Sequence, residues 1–161
     1  MPHNATRARW PAAGIVTGHG SGLALLLEQP LSFWGGYDAA GGCIVEAHHP
    51  QRGARLAGRV MLMASAKGSS SSSSVLAEAI RNGTGPSAIV MCERDLIVGL
   101  GCIVASELYA CHVPVVVVSN AVWGELVHNA RTGQGRWQVR APALGDAEVR
   151  VAAAPGAPRP S

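Results

Sequence analysis

The stretch RVMLMASAKGSSSSSSVLAEAIRNG, residues 59–83, decides how this chain is read. It opens on Val60-Met61-Leu62-Met63-Ala64, an apolar run of strand length. It closes on Val75-Leu76-Ala77-Glu78-Ala79-Ile80-Arg81, where Val75, Leu76, Ala79 and Ile80 share one helical face and Gly83 supplies a stop. Six serines, Ser69 to Ser74, lie between them after Gly68. A Ser-rich tract is ordinarily a flexible linker, but linkers are flanked by polar or Pro-rich sequence, whereas this one is bracketed by core-grade segments. The connection is also as short as those inside one compact α/β unit. A strand, a Gly-Ser turn and a helix N-terminus together favour anions, because the first helical amides lack internal partners and the dipole is positive there. The tract is therefore read as a site, able to hold a carboxylate or phosphate and to exchange a proton with it.

The bulk of the chain agrees with one globular domain. At 161 residues it can bury about 70% of its unfolded surface. A mean hydropathy of +0.20 points to apolar surface covered by a partner, although abundant alanine inflates that figure. The net charge of +3 is dispersed, with no cluster beyond Arg52–Arg59 and the Arg7/Arg9 pair, so a nucleic-acid footprint is not expected. No segment reaches the roughly 18–20 apolar residues of a membrane helix. Arg7 and Arg9 are followed by Pro11, Gly14, Gly18 and Gly20 rather than by a signal-peptide core, which places the expected location in the cytoplasm. Cys43, Cys92, Cys102 and Cys111 show no paired CxxC spacing and are expected to be buried free thiols.

Along the chain, residues 1–13 read as a disordered arm and 154–161 as a disordered tail. Gly14-Ile15-Val16 and Leu23–Leu27 read as short strands around a Gly-rich turn, Gly18–Gly22. That GxGxG run leads into a strand-like segment instead of a helix, so it fails the context of a dinucleotide site. Short strands follow at Cys43–Glu46, Arg59–Ala64 and Ser87–Cys92, with a helical end to a mixed segment at Ala105–Tyr109. Val115-Val116-Val117-Val118 has the character of a strand buried on both faces. Trp137–Arg140 and Glu148–Val151 alternate like a closing hairpin. The expected fold is α/β, a β layer packed on an α/β layer with a mixed sheet.

Several linked motifs resemble one family. Leu31-Ser32-Phe33-Trp34-Gly35-Gly36, His49-Pro50, Ala57-Gly58-Arg59-Val60, Lys67-Gly68-Ser69, Val75-Leu76-Ala77-Glu78 and Pro114-Val115-Val116 resemble the small-subunit, or swivel-domain, segment of aconitase X. The similarity covers residues 14–153. The resemblance implies a swivelling β/β/α domain that closes over a larger catalytic subunit. That subunit would carry the iron or iron–sulfur centre, with none bound by this chain alone. It implies a hydro-lyase acting on a small hydroxy acid, with cis-3-hydroxy-L-proline first and mevalonate 5-phosphate as the alternative. It also assigns the proton-accepting serine to Ser69, directly after the Gly of the turn. Lys67, Gly68, Ser70, Ser71 and Ser73 are then candidate substrate-binding residues. Ser70, Ser72 and Ser74 fall at the more variable places, and Ser65-Ala66 departs from the family's pattern before Lys67. A non-catalytic swivel module is the reading from a different class.

Serine is a poor base in water, so Ser69 must act as an alkoxide, stabilised by amides, the helix dipole and a cation such as Lys67. Other motif readings fare worse. Lys67-Gly68-Ser69 inverts the Gly-Lys-Ser order of a phosphate-binding P-loop. His49 and Asp38 are available for a hydrolase triad, but no nucleophile elbow is present. His48-His49 as a metal pair competes with a loop histidine bonded locally. Phe33, Trp34 and Tyr37 are open between core packing and an interface wall.

Overall fold

The protein is described by a computed structural model covering residues 6–133 and 135–152. Its strands are β1 (Thr6–Val16), β2 (Gly18–Leu26), β3 (Tyr37–Asp38), β4 (Cys43–Ile44), β5 (Arg59–Leu62), β6 (Ala88–Met91), β7 (Val115–Val117), β8 (Trp137–Ala143) and β9 (Asp146–Ala152). Its helical segments are α1 (Phe33–Gly36), a turn in which Trp34 and Gly35 depart from helical backbone angles, then α2 (Ser72–Arg81), α3 (Leu96–Tyr109) and α4 (Asn120–Thr132). Seven strands close on themselves in the order β1-β7-β6-β5-β2-β8-β9, and β3 and β4 form a separate small hairpin.

Two strands do double duty. The first half of β1 pairs antiparallel with β9, and its second half, from Ala13, pairs antiparallel with β7. Likewise Gly18–Gly22 of β2 pairs with β8, while Leu23–Leu26 runs parallel to β5. The barrel is thus an antiparallel layer (β1, β9, β8, β2) folded against a mixed layer with parallel β5, β6 and β7. Helices α2 and α3 cover the outer face of the mixed layer, giving the expected β/β/α arrangement.

Alternation along the parallel strands sorts their side chains. Val60, Leu62, Ala88, Val90 and Val116 point between the layers, where they meet Trp10, Trp137, Val139, Val149 and Val151. Trp10 and Trp137 stack there at 6.2 Å. Met61, Met63, Ile89, Met91 and Val115 point the other way, against Leu76, Ala79 and Ile80 of α2 and Val98, Cys102 and Ala105 of α3. Burial on both faces is what made the valine run of β7 read as a central strand.

Three expectations change. Residues 6–13, expected to fray, are strand, because Ala8, Trp10 and Ala12 alternate inward and the backbone pairs with β9; residues 1–5 and the expected tail, 154–161, lie outside the described residues. The Gly18–Gly22 run is the start of β2 and not a turn. A Cβ at Gly20 would collide with the Ser87 carbonyl and one at Gly22 with the Gly58 carbonyl. The glycines allow β2 to pass these backbones as it changes partner. Cys102 alone of the four thiols is fully buried, its pKa pushed up to about 12 by desolvation, while Cys43, Cys92 and Cys111 are half-buried.

Candidate functional site

The serine tract lies where β5 delivers the chain to α2. Helix α2 begins at Ser72, three residues earlier than the apolar pattern predicts. The amides of Ser72, Ser73 and Ser74 donate to the carbonyls of Ser69, Ser70 and Ser71, so the turn winds directly into the helix. Those three amides are therefore spoken for, and the anion-favouring character at this end rests on the dipole and on the turn ahead of it.

Gly68 fixes the turn. Its φ of +104° lies where side chains rarely go, and a Cβ there would collide with Ser32 Oγ and sit 3.2 Å from Ser72 Oγ. Ser32 and Trp34 belong to the LSFWGG segment, so two motifs far apart in sequence are stitched together here. Ser32 Oγ donates to the Trp34 carbonyl at 2.8 Å, and Ser72 Oγ accepts from the Trp34 amide at 3.1 Å. Ser72 is nearly fully buried by this role. Gly68→Ala should leave the barrel folded while moving the turn. Displacements of about 1 Å at a reacting group cost up to about 10²-fold, so any chemistry that the turn supports should slow on that scale. Parallel rate and thermal unfolding measurements check this: an unchanged rate would show that the turn tolerates a side chain.

Around the turn is a pocket of about 80 Å³ lined by Leu31, Phe33, Lys67, Gly68, Ser72 and Asp95, among others. Asp95 comes from the start of α3, where its carboxylate accepts from the Val98 amide at 2.8 Å and caps the helix. Of the expected site residues, Lys67 and Gly68 line this pocket. Ser69 follows immediately and is exposed, and its Oγ accepts from the Ser71 amide at 3.3 Å. Ser70 and Ser71 are exposed beside it. Ser73 Oγ turns back to the Ser70 carbonyl at 2.9 Å, where it braces the turn. Lys67 Nζ pairs with Glu46 at 3.1 Å, so its ammonium is anchored beside the turn.

Ser72, Asp95 and Glu46 were not foreseen. Ser72 looked like one serine among six, and only the fold reveals that it faces inward. Asp95 has a sequence signal, an N-cap ahead of Leu96-Ile97-Val98, but nothing local places it near Lys67.

The aromatic cluster divides. Phe33 and Tyr37 are core residues packed edge to face at 5.8 Å, whereas the Trp34 indole is 60% exposed beside the pocket. His49 is buried and bonded locally: its Nδ1 accepts from the Gln51 amide at 3.1 Å and its Nε2 lies 3.0 Å from the Gln29 carbonyl, while His48 is exposed. Both ring nitrogens of His49 are thereby used, which disfavours the metal-pair reading. Among the described residues no three His, Cys, Asp or Glu side chains gather as metal ligands, and no helix is long and apolar enough to cross a membrane. The side chains described here do not fit an iron centre.

A family model described as the aconitase X swivel domain matches residues 9–134. Cis-3-hydroxy-L-proline dehydratase of Pseudomonas aeruginosa is 37% identical over 142 residues, which is 87% of this chain and 24% of that protein. The chain thus spans about a quarter of that relative's length. The phosphomevalonate dehydratase small subunit of Methanothermobacter thermautotrophicus is 36% identical over 91 residues, 56% of this chain and 70% of that subunit. The holo-form crystal structure of Thermococcus kodakaraensis aconitase X superposes with a TM-score of 0.70 at 26% identity, covering 89% of this chain and 98% of that one. The pairing of the LSFWGG segment with the KGS turn, the layered barrel and these matches agree: this chain belongs to the aconitase X swivel domain family.

Proposed function

We propose that this chain is the small, capping subunit of an aconitase X-type dehydratase that removes water from a small hydroxy acid. The proposed substrate is cis-3-hydroxy-L-proline, giving Δ1-pyrroline-2-carboxylate. The observation that supports the reading best is Ser69 itself, an exposed hydroxyl on a turn shaped by Gly68, next to a small pocket whose largely apolar walls include Lys67, Ser72 and Asp95. The relative named for this substrate aligns over 87% of the chain, against 56% for the phosphomevalonate dehydratase subunit, which makes the phosphorylated substrate the second choice.

In this reading Ser69 Oγ, as an alkoxide, takes the proton from the carbon bearing the carboxylate, and hydroxide leaves from the neighbouring carbon. The resulting enamine then tautomerises to the ring imine. The Ser71 amide, pointing at Ser69 Oγ, favours the anionic oxygen, as does the N-terminal end of α2. The exposed hydroxyls of Ser70 and Ser71, together with Lys67, supply donors and positive charge for the substrate carboxylate. In water the alkoxide would be too costly, so the turn must be covered before it can act. A larger partner subunit provides that cover and holds the iron or iron–sulfur centre; no step assigned to this chain passes through that centre.

Co-expression with the large subunit, followed by assay of the purified complex against both hydroxy acids, tests the reading. Pyrroline formation is expected. Formation of a complex without dehydratase activity on either compound would favour a non-catalytic swivel module instead.

A further inference from the structure

On the side of the barrel away from α2 and α3, the antiparallel layer carries an unusual charge cluster. Because Trp10, Val139, Ala147 and Val149 point inward, alternation turns Arg9, Arg140, Glu148 and Arg150 outward on three adjacent strands. The register sets Arg9 opposite Arg150 and Arg140 opposite Glu148. Like charges directly opposite each other destabilise a strand pair, so the first pairing requires a counter-charge.

Glu148 supplies it for all three arginines. Its carboxylate lies 2.6 Å from Arg150, 3.4 Å from Arg9 and 3.9 Å from Arg140. The short contact is half-sheltered, and the Arg150 Nε beside it is buried without a hydrogen-bond partner. The two long contacts involve side chains that are 58% and 49% exposed, loosely held and able to turn toward a ligand. Asp146 lies on the same surface, so three guanidiniums face two carboxylates and positive charge remains in excess. These residues line a groove of about 560 Å³ whose apolar walls include Pro11 and Pro142. That volume is within the range of small-molecule sites, roughly 300–1,000 Å³, and the planar guanidinium fork matches carboxylate and phosphate oxygens two at a time.

We infer that this groove binds a small organic dianion, a phosphate monoester or a dicarboxylate. The ligand's charged end sits between Arg9 and Arg140, and its apolar part rests on Pro11 and Pro142. Glu148 holds Arg150 in place and keeps the trio together when the groove is empty. Nucleic acid is a poorer occupant, because three arginines without exposed aromatic partners make too small a footprint.

Calorimetric titration of the full chain at low salt, with phenyl phosphate and with succinate as separate probes, tests this. Saturable one-to-one binding is expected for at least one probe, and which one binds identifies the dianion's source. The Arg9→Gln/Arg140→Gln double variant should weaken binding at least tenfold. Glu148→Gln should tighten it several-fold, an effect opposite to that of any general loosening of the sheet. Arg81→Gln/Arg131→Gln removes the same charge from α2 and α4 and should leave binding unchanged. Thermal unfolding of each variant confirms that it is folded. Absence of saturable binding for both probes overturns the inference, as does equal weakening in the two double variants.

Discussion

Ser69→Ala in the proposed dehydratase complex is expected to lower kcat by about 10²–10⁴-fold, the range that positioned proton transfer contributes. The loss should appear without a fall in stability. Ser69 is exposed, its Oγ accepts a single long bond from the Ser71 amide, and no buried donor is orphaned by its removal; exposed changes of this kind stay within about 0.5 kcal/mol. Ser74→Ala, also exposed but a turn further into α2, should leave turnover unchanged. Ser69→Cys adds a readout that steric damage would not imitate. A thiol titrates near about 8.5, so a residual activity with a new alkaline limb in its pH–rate profile would mark this position as the proton acceptor. Near-wild-type kcat for Ser69→Ala would transfer the role elsewhere.

Phe33→Ala is expected to have the largest effect on stability, about 3–5 kcal/mol out of the about 5–15 kcal/mol that holds a domain together. Phe33 is 1% exposed, packs edge to face on Tyr37, and belongs to the cluster between the mixed layer and its helices. It also lines the pocket below the serine turn, so its loss removes packing and support for Gly68 together. Urea unfolding should show a lower midpoint with an unchanged slope. The adjacent Trp34 provides the contrast. With its indole outside, Trp34→Ala should barely move the midpoint, yet it should weaken capture of the proposed large subunit by at least about 2 kcal/mol, as exposed aromatic anchors do. Equal destabilisation by both substitutions would mean that Trp34 is packing rather than a docking residue.

The contrast between these neighbours also shows where sequence reading ends. The strand, turn and helix around the serines were legible because Val60–Ala64 is an unbroken apolar run of strand length and Val75–Ile80 keeps a helical period, and β7 announced itself by the run of four valines from Val115. Helix α4 escaped because only Leu126 is buried along it, so little apolar period marks it. Most of α3 read as mixed for the opposite reason: it is apolar nearly all round, with Leu96, Leu100 and Ile103 exposed as well as Val98 and Cys102 buried. Lys67, Gly68 and Ser69 were recognisable from local order and family pattern. Glu46, Asp95 and the inward turn of Ser72 were not, because distant loops place them and no local spacing encodes their meeting.

The closure of the seven strands sets a limit on how this unit can meet a neighbour. With β9 returning to β1, β5 to β9 each have a backbone partner on either side and β1 and β2 are paired half by half, so among the described residues no barrel strand is left as an unpaired terminal strand for a visiting strand to extend the sheet. Contact with the barrel must then be made by side chains and loop surfaces. Such contacts can be released and remade at a hinge without tearing any main-chain ladder, and the unit can change its angle to a companion while its own hydrogen bonding stays whole.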